Sequence, residues 1–106
     1  MPWFIKRETF LVPPGELRGT ISAHLQWVQQ LRQRGIRISS GYLVDGQGQP
    51  GGGGLLLLEA SDYQSAAALI AGDPMLQSGK VSWQLHQWLS SSGDLATDQA
   101  PGDPAT

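Results

Sequence analysis

Cysteine is absent from the 106-residue chain. Disulfides, Cys-based zinc or iron–sulfur sites and thiol nucleophiles are excluded with it. Charge is also sparse: seven Lys and Arg stand against nine Asp and Glu, a formal net charge of −2. No stretch approaches the ~20 apolar residues that a bilayer-spanning helix needs. The first ten residues carry Lys6, Arg7 and Glu8, where a secretory signal would need an unbroken apolar run. A cytoplasmic protein, neither spanning nor lying on a membrane, is the expectation.

The charges that are present are unevenly placed. Asp94, Asp98 and Asp103 lie in a stretch without Lys or Arg, so residues 1–91 hold six acids against seven bases. A nucleic-acid binder would cluster its bases on one face, and no such cluster exists, so no nucleic-acid partner is expected. Lys6 and Arg7 read as solvated charges on a strand, and Arg32, Arg34 and Arg37 as charges at a helix end.

Periodicity orders the elements. Trp3 to Val12 is rich in aromatic and β-branched residues and stops at Pro13-Pro14-Gly15, which predicts a first strand. From Leu17 to Arg34, the residues Leu17, Ile21, Leu25, Val28 and Leu31 share one arc of a helical wheel. Gly35, following Arg32 and Arg34, supplies the helix's stop signal. Ile36 to Asp45 alternates as a second strand. The segment 46–54 reads as a glycine-rich loop, and Leu55 to Leu58 as a short third strand running into Glu59. Ser61 and Gln64 have the spacing of a capping box, opening an alanine-rich helix that Gly72-Asp73-Pro74 ends. Met75 to Gly79 would add a short turn, and Lys80 to Leu89 a fourth strand.

The sum is an α+β chain of order β-α-β-β-α-β, a ferredoxin-like domain over residues 1–90 with a four-stranded antiparallel sheet covered on one face by both helices. Residues 91–106 have the composition of a disordered acidic tail. Leu55 to Leu58 does not alternate, so both faces of that strand should be dry. Two helices cover one face only. A second copy of the chain is the simplest cover for the other, which predicts a homodimer.

His24 falls inside the apolar arc of the first helix. It is either a satisfied core histidine or a site residue, and imidazole is the side chain best suited to proton transfer near neutrality. Its other nitrogen would need an orienting carboxylate. Asp73, at the chain reversal after the second helix, is the candidate; capping the Met75 turn is its alternative role. His86 shares a strand face with Gln84 and Trp88 and reads as a surface or interface residue. Two histidines without close spacing make a poor metal site. The glycines 51–54 are followed by neither Lys-Ser/Thr nor a helix, so they form no phosphate loop. No Gly-x-Ser-x-Gly or comparable nucleophile signal occurs. No cofactor is expected.

An ordered set of motifs resembles the YciI-like (YCII-related) family. The set runs through His24-Leu25, Leu31, Gly35, Ser40-Gly41-Tyr42 with Asp45, the Gly-rich segment, Glu59-Ala60, and Asp73-Pro74-Met75 with Gly79. It covers residues 3 to about 89. The resemblance implies a dimeric α/β-barrel fold and a His–Asp acid/base pair in a cleft, here His24 and Asp73. Gly41, Tyr42 and Asp45 would line the substrate pocket. One relative is a dehydrochlorinase that removes HCl from a chlorinated hydroxyquinol. The chain departs from the pattern at Tyr42, where the family's proline is usual, and at Met75, where an aromatic is usual. At Ile21 an Arg often stands in the family, and such an Arg would anchor an anionic substrate.

The expectation is therefore a small lyase- or isomerase-type enzyme acting on a cyclic or aromatic compound. The competing expectation is a non-enzymatic small-ligand-binding or interaction module on the same fold. A haem-handling relative is a third possibility.

Overall fold

The computed structural model describes residues 1–94; the disordered tail expected over 91–106 lies mostly outside them. Strand β1 (Trp3–Phe10) leads through a 3₁₀ turn (Pro14–Leu17) into helix α1 (Arg18–Gln33). Strands β2 (Ile38–Val44) and β3 (Pro50–Glu59), helices α2 (Tyr63–Ile70) and α3 (Pro74–Gln77), and strand β4 (Val81–Trp88) follow. The four strands form an antiparallel sheet of order β2-β3-β1-β4. This is the ferredoxin-like arrangement that the element order implied.

Local chemistry explains the helix ends. The amide of Gly35 donates to the Arg32 carbonyl and that of Ile36 to the Leu31 carbonyl, both at 3.0 Å. Gly35 has φ +85°, the left-handed geometry such a closure needs and glycine allows. At α2 the expected cap shifts by one residue. Asp62, not Ser61, is the N-cap and accepts from the Ser65 amide at 2.7 Å. A carboxylate is the stronger acceptor for a helix's free amides, and Ser61 is left to donate to the Ser65 hydroxyl.

The glycine run departs further from expectation. Residues 50–54 belong to β3 rather than to a loop, and Gly53 pairs with Thr9 of β1. A Cβ on Gly53 would collide with the Glu8 carbonyl oxygen. Glycine is present because the two backbones approach too closely for a side chain.

Phe4, Leu31, Ile38, Leu56, Leu58, Ala66, Ile70 and Leu85 form the main core between sheet and helices. A smaller cluster of Leu17, Met75 and Val81, backed by Phe10, Val12 and Ile21, closes the other end. Leu25 lies at the margin of the helical arc and is 58% exposed, so it leaves the core to which the wheel assigned it. On β3, Leu56 and Leu58 are buried under the helices, whereas Leu55 and Leu57 point to the opposite face and are half-buried. No helix of the described residues is long and apolar enough to cross a membrane.

Candidate active site

Four inward positions of β1 set up the site. Phe4 belongs to the main core and Phe10 packs on the smaller cluster. Lys6 and Glu8 lie between them on the same strand face, and both are buried. The sequence reading of Lys6 as a solvated charge is thereby overturned: it is 1% exposed, while its neighbour Arg7 points outward. A buried ammonium requires partners. Lys6 Nζ donates to Glu8 Oε1 at 2.5 Å and to Asp73 Oδ2 at 2.7 Å.

Asp73 is fully buried at the N-cap of α3 and has three donors. Oδ2 takes Lys6, while Oδ1 takes the Met75 amide at 2.9 Å and His24 Nδ1 at 2.7 Å. Both roles considered for Asp73, turn cap and imidazole partner, are thus filled by one oxygen. Burial by itself would raise this carboxyl's pKa. The hydrogen bonds from His24 and Lys6, reinforced by the Lys6 charge, outweigh burial and hold it below the ordinary 3.8.

An ionised Asp73 can only accept, so His24 Nδ1 carries the hydrogen. The neutral ring then presents its Nε2 lone pair outward, where it meets Ser40 Oγ at 2.7 Å. Trp27, one helical turn on, packs beside the imidazole with ring centroids 5.6 Å apart. Gly72 lies against the indole: a Cβ there would stand 3.2 Å from Trp27 Nε1. Helix α1 and the α2–α3 junction meet closely at this point, which brings His24 to Asp73.

A cavity of about 160 Å³ opens onto this cluster. Its polar end is Lys6, Glu8, His24 and Ser40, and Phe10, Ile21, Leu25, Tyr42, Leu56 and Met75 supply the apolar walls. Gly41 and Tyr42 line this cavity. Asp45 does not. Its carboxylate accepts from the amides of Gln47 at 2.8 Å and Gln49 at 2.9 Å, closing the β2–β3 turn. Those bonds, Gln49's first, lower its pKa. A larger hollow of about 290 Å³ lies over the glycine strand, between Arg7, Leu43 and Trp83, and contains neither His24 nor Asp73. Among the described residues no group of three or more His, Asp or Glu could hold a metal ion.

Sequence reasoning missed Lys6, Glu8 and Ser40. A signal existed for the first two: residues 4, 6, 8 and 10 share a strand face, so charges at 6 and 8 lay between two buried phenylalanines. For Ser40 the hints were its place in the alternation of Ile38 and Tyr42 and in the Ser40-Gly41-Tyr42 motif.

A family model, the YCII-related domain, matches residues 3–88. The chain belongs to the YCII-related family. Among solved structures it is similar to 5-chloro-2-hydroxyhydroquinone dehydrochlorinase (TftG) from Burkholderia phenoliruptrix AC1100, in complex with 2,5-dihydroxybenzoquinone. Identity is 20%, with 82% of this chain and 93% of that one covered at a TM-score of 0.59. A dimeric ferredoxin-like protein from an uncultured marine organism is 16% identical, with 89% and 100% covered at a TM-score of 0.53. At these identities both likenesses speak to the YCII-type fold. No curated protein matches the chain.

Proposed function

We propose that this YCII-related protein is a lyase- or isomerase-type enzyme that moves a proton on a small cyclic or aromatic compound. The observation that carries the proposal is the His24–Asp73 pair, 2.7 Å apart, at the polar end of an otherwise apolar cavity. His24 Nε2 is the general acid/base. Asp73 fixes the tautomer and balances the charge when the ring takes a proton. Lys6 holds Asp73 in place. Gly41 and Tyr42 form part of the wall that receives the ring of the substrate.

The cavity's size agrees with this class. An apolar cavity of ~150 Å³ accepts a benzene-sized ligand, and about 160 Å³ is available here. The dehydrochlorinase relative holds a dihydroxybenzoquinone, a ligand of that shape. The open sheet face, with Ile5, Leu55 and Leu57 half-buried, is best covered by a second copy, as in the dimeric relative.

The test uses 2,5-dihydroxybenzoquinone as probe and chlorinated hydroxyquinols as substrates. Titration of the probe should shift the NMR signals of His24 and Tyr42. Chloride release should fall by ~10²–10⁴-fold in His24→Ala, the usual contribution of a positioned base. Turnover unaffected by that substitution would remove His24 from the mechanism. Probe binding without turnover of any substrate would support the non-enzymatic ligand-binding module instead.

A further inference from the structure

Beyond proton transfer, we propose that Ser40 is a nucleophile and that the chain hydrolyses small uncharged esters through an acyl group carried on Ser40 Oγ. Ser40, His24 and Asp73 form a continuous line. Ser40 Oγ lies 2.7 Å from Nε2, and Nδ1 lies 2.7 Å from Asp73 Oδ1. With Asp73 ionised and Nδ1 protonated, the serine hydroxyl donates to the Nε2 lone pair. That is the arrangement that activates a serine hydroxyl, and it is recognised by geometry rather than by chain order. Here the order is His, Ser, Asp.

Three further observations favour a reacting serine over a structural one. Asp73 is pinned by Lys6 Nζ and by the Met75 amide, so the imidazole it orients cannot turn away. Ser40 itself is exposed and lines the cavity, so a ligand can reach its oxygen. Strand β2 is also a sheet edge. The Glu59 amide donates to the Arg37 carbonyl, and by antiparallel alternation residues 39 and 41 face β3. The amides of Ser40 and Tyr42 therefore point out of the edge, available to a developing oxyanion.

The chemistry closes on an ester and water. Ser40 Oγ attacks the carbonyl carbon as its proton passes to Nε2. The bond to the alcohol oxygen breaks, and Nε2 returns the proton to the departing alcohol. Water then attacks the acyl carbon and gives a proton to Nε2. The acid leaves, and Ser40 recovers its hydrogen. Apolar walls and the Glu8 carboxylate at the cavity's polar end select a short or aryl acyl group without negative charge.

The test is treatment of the full chain with phenylmethylsulfonyl fluoride, in which Oγ displaces fluoride and Nε2 takes the proton. Hydrolysis of p-nitrophenyl acetate is followed alongside. Mass spectrometry should find one sulfonyl group per chain on Ser40, with neighbouring Ser39, whose side chain lies on the opposite face, as internal control. Ser40→Ala, checked for native circular dichroism, should lose both the modification and the hydrolysis. His24→Gln should slow both by about 100-fold or more. A folded wild-type chain whose Ser40 stays unmodified, or a Ser40→Ala variant that hydrolyses at the wild-type rate, would overturn the proposal. Equal modification of wild type and a folded His24→Gln variant would do the same.

Discussion

Lys6 and Asp73 stand 67 residues apart in the chain, yet Nζ and Oδ2 lie 2.7 Å apart in the folded protein. Neither is more than 1% exposed. This ion pair fixes the α2–α3 junction onto β1, and the imidazole of His24 is oriented by the carboxylate that the junction carries. Site geometry and fold stability therefore share one buried contact.

Removing the ammonium should be costly. Lys6→Met leaves the carboxylates of Glu8 and Asp73 facing a methionine in a dry environment, and stranding a buried charge costs ~3–5 kcal/mol. Urea unfolding should show a loss of that order. Replacing Glu8 by Leu in the same chain should restore part of it, because one stranded carboxylate goes with the cation. If Lys6→Met loses less than about 1 kcal/mol, a typical net hydrogen bond, the network is not held dry.

Acid should loosen the same contact. The pKa of Asp73 is lowered on folding despite its burial. Its ionised form thus adds stability above the unfolded pKa, and that contribution is lost as pH falls through the folded value. From about pH 5 downward, as the pH passes the ordinary 3.8 and the lower folded value, the urea midpoint should drop, and Asp73→Asn, less stable at the outset, should show a shallower drop. Equal slopes in the two proteins would separate Asp73 from the acid response.

At the glycine strand, Gly53→Ala places a methyl group against the Glu8 carbonyl. The carbonyl is backbone and the methyl is fixed to Cα, so neither can swing aside, and the strands must separate. Overpacking of this kind costs ~1–3 kcal/mol. Gly46→Ala, where nothing lies within 4 Å of the added Cβ, is the control and should unfold near the wild-type temperature.

Self-association is read at Leu57. It stands opposite Ile5 of β1 and Ser39 of β2 on the face the helices leave open. Sedimentation equilibrium should give twice the 11.4 kDa chain mass for the wild type and a single chain for Leu57→Asp. A wild-type monomer at micromolar concentration would leave the tetraleucine strand half-covered and end the proposal of a pair.

Much of the fold is legible in the sequence. The element order, the helix ending at Gly35 and the placement of Ile38, Ser40 and Tyr42 on one face follow from periods of 3.6 and 2. The errors have particular causes. Glycine marks both loops and close strand approaches, so the start of β3 at Pro50 could not be told from a loop. Ser61 and Asp62 are both N-cap residues, and only their contacts ranked them. The charge of Lys6 argues for solvation, whereas the alternation of its own strand turns it inward.

What the sequence determined by itself was the βαββαβ order, most of the apolar face of α1, and the presence of a histidine among its apolar residues. These depend on neighbours within a few residues, where spacing is geometry. The meeting of Lys6, His24, Ser40 and Asp73 was decided only by tertiary structure. Its four members come from four separate segments, and whether their atoms fall within 3 Å depends on how α1 and the α2–α3 junction pack on the sheet. That packing is a sum over the whole core, and no local pattern contains it.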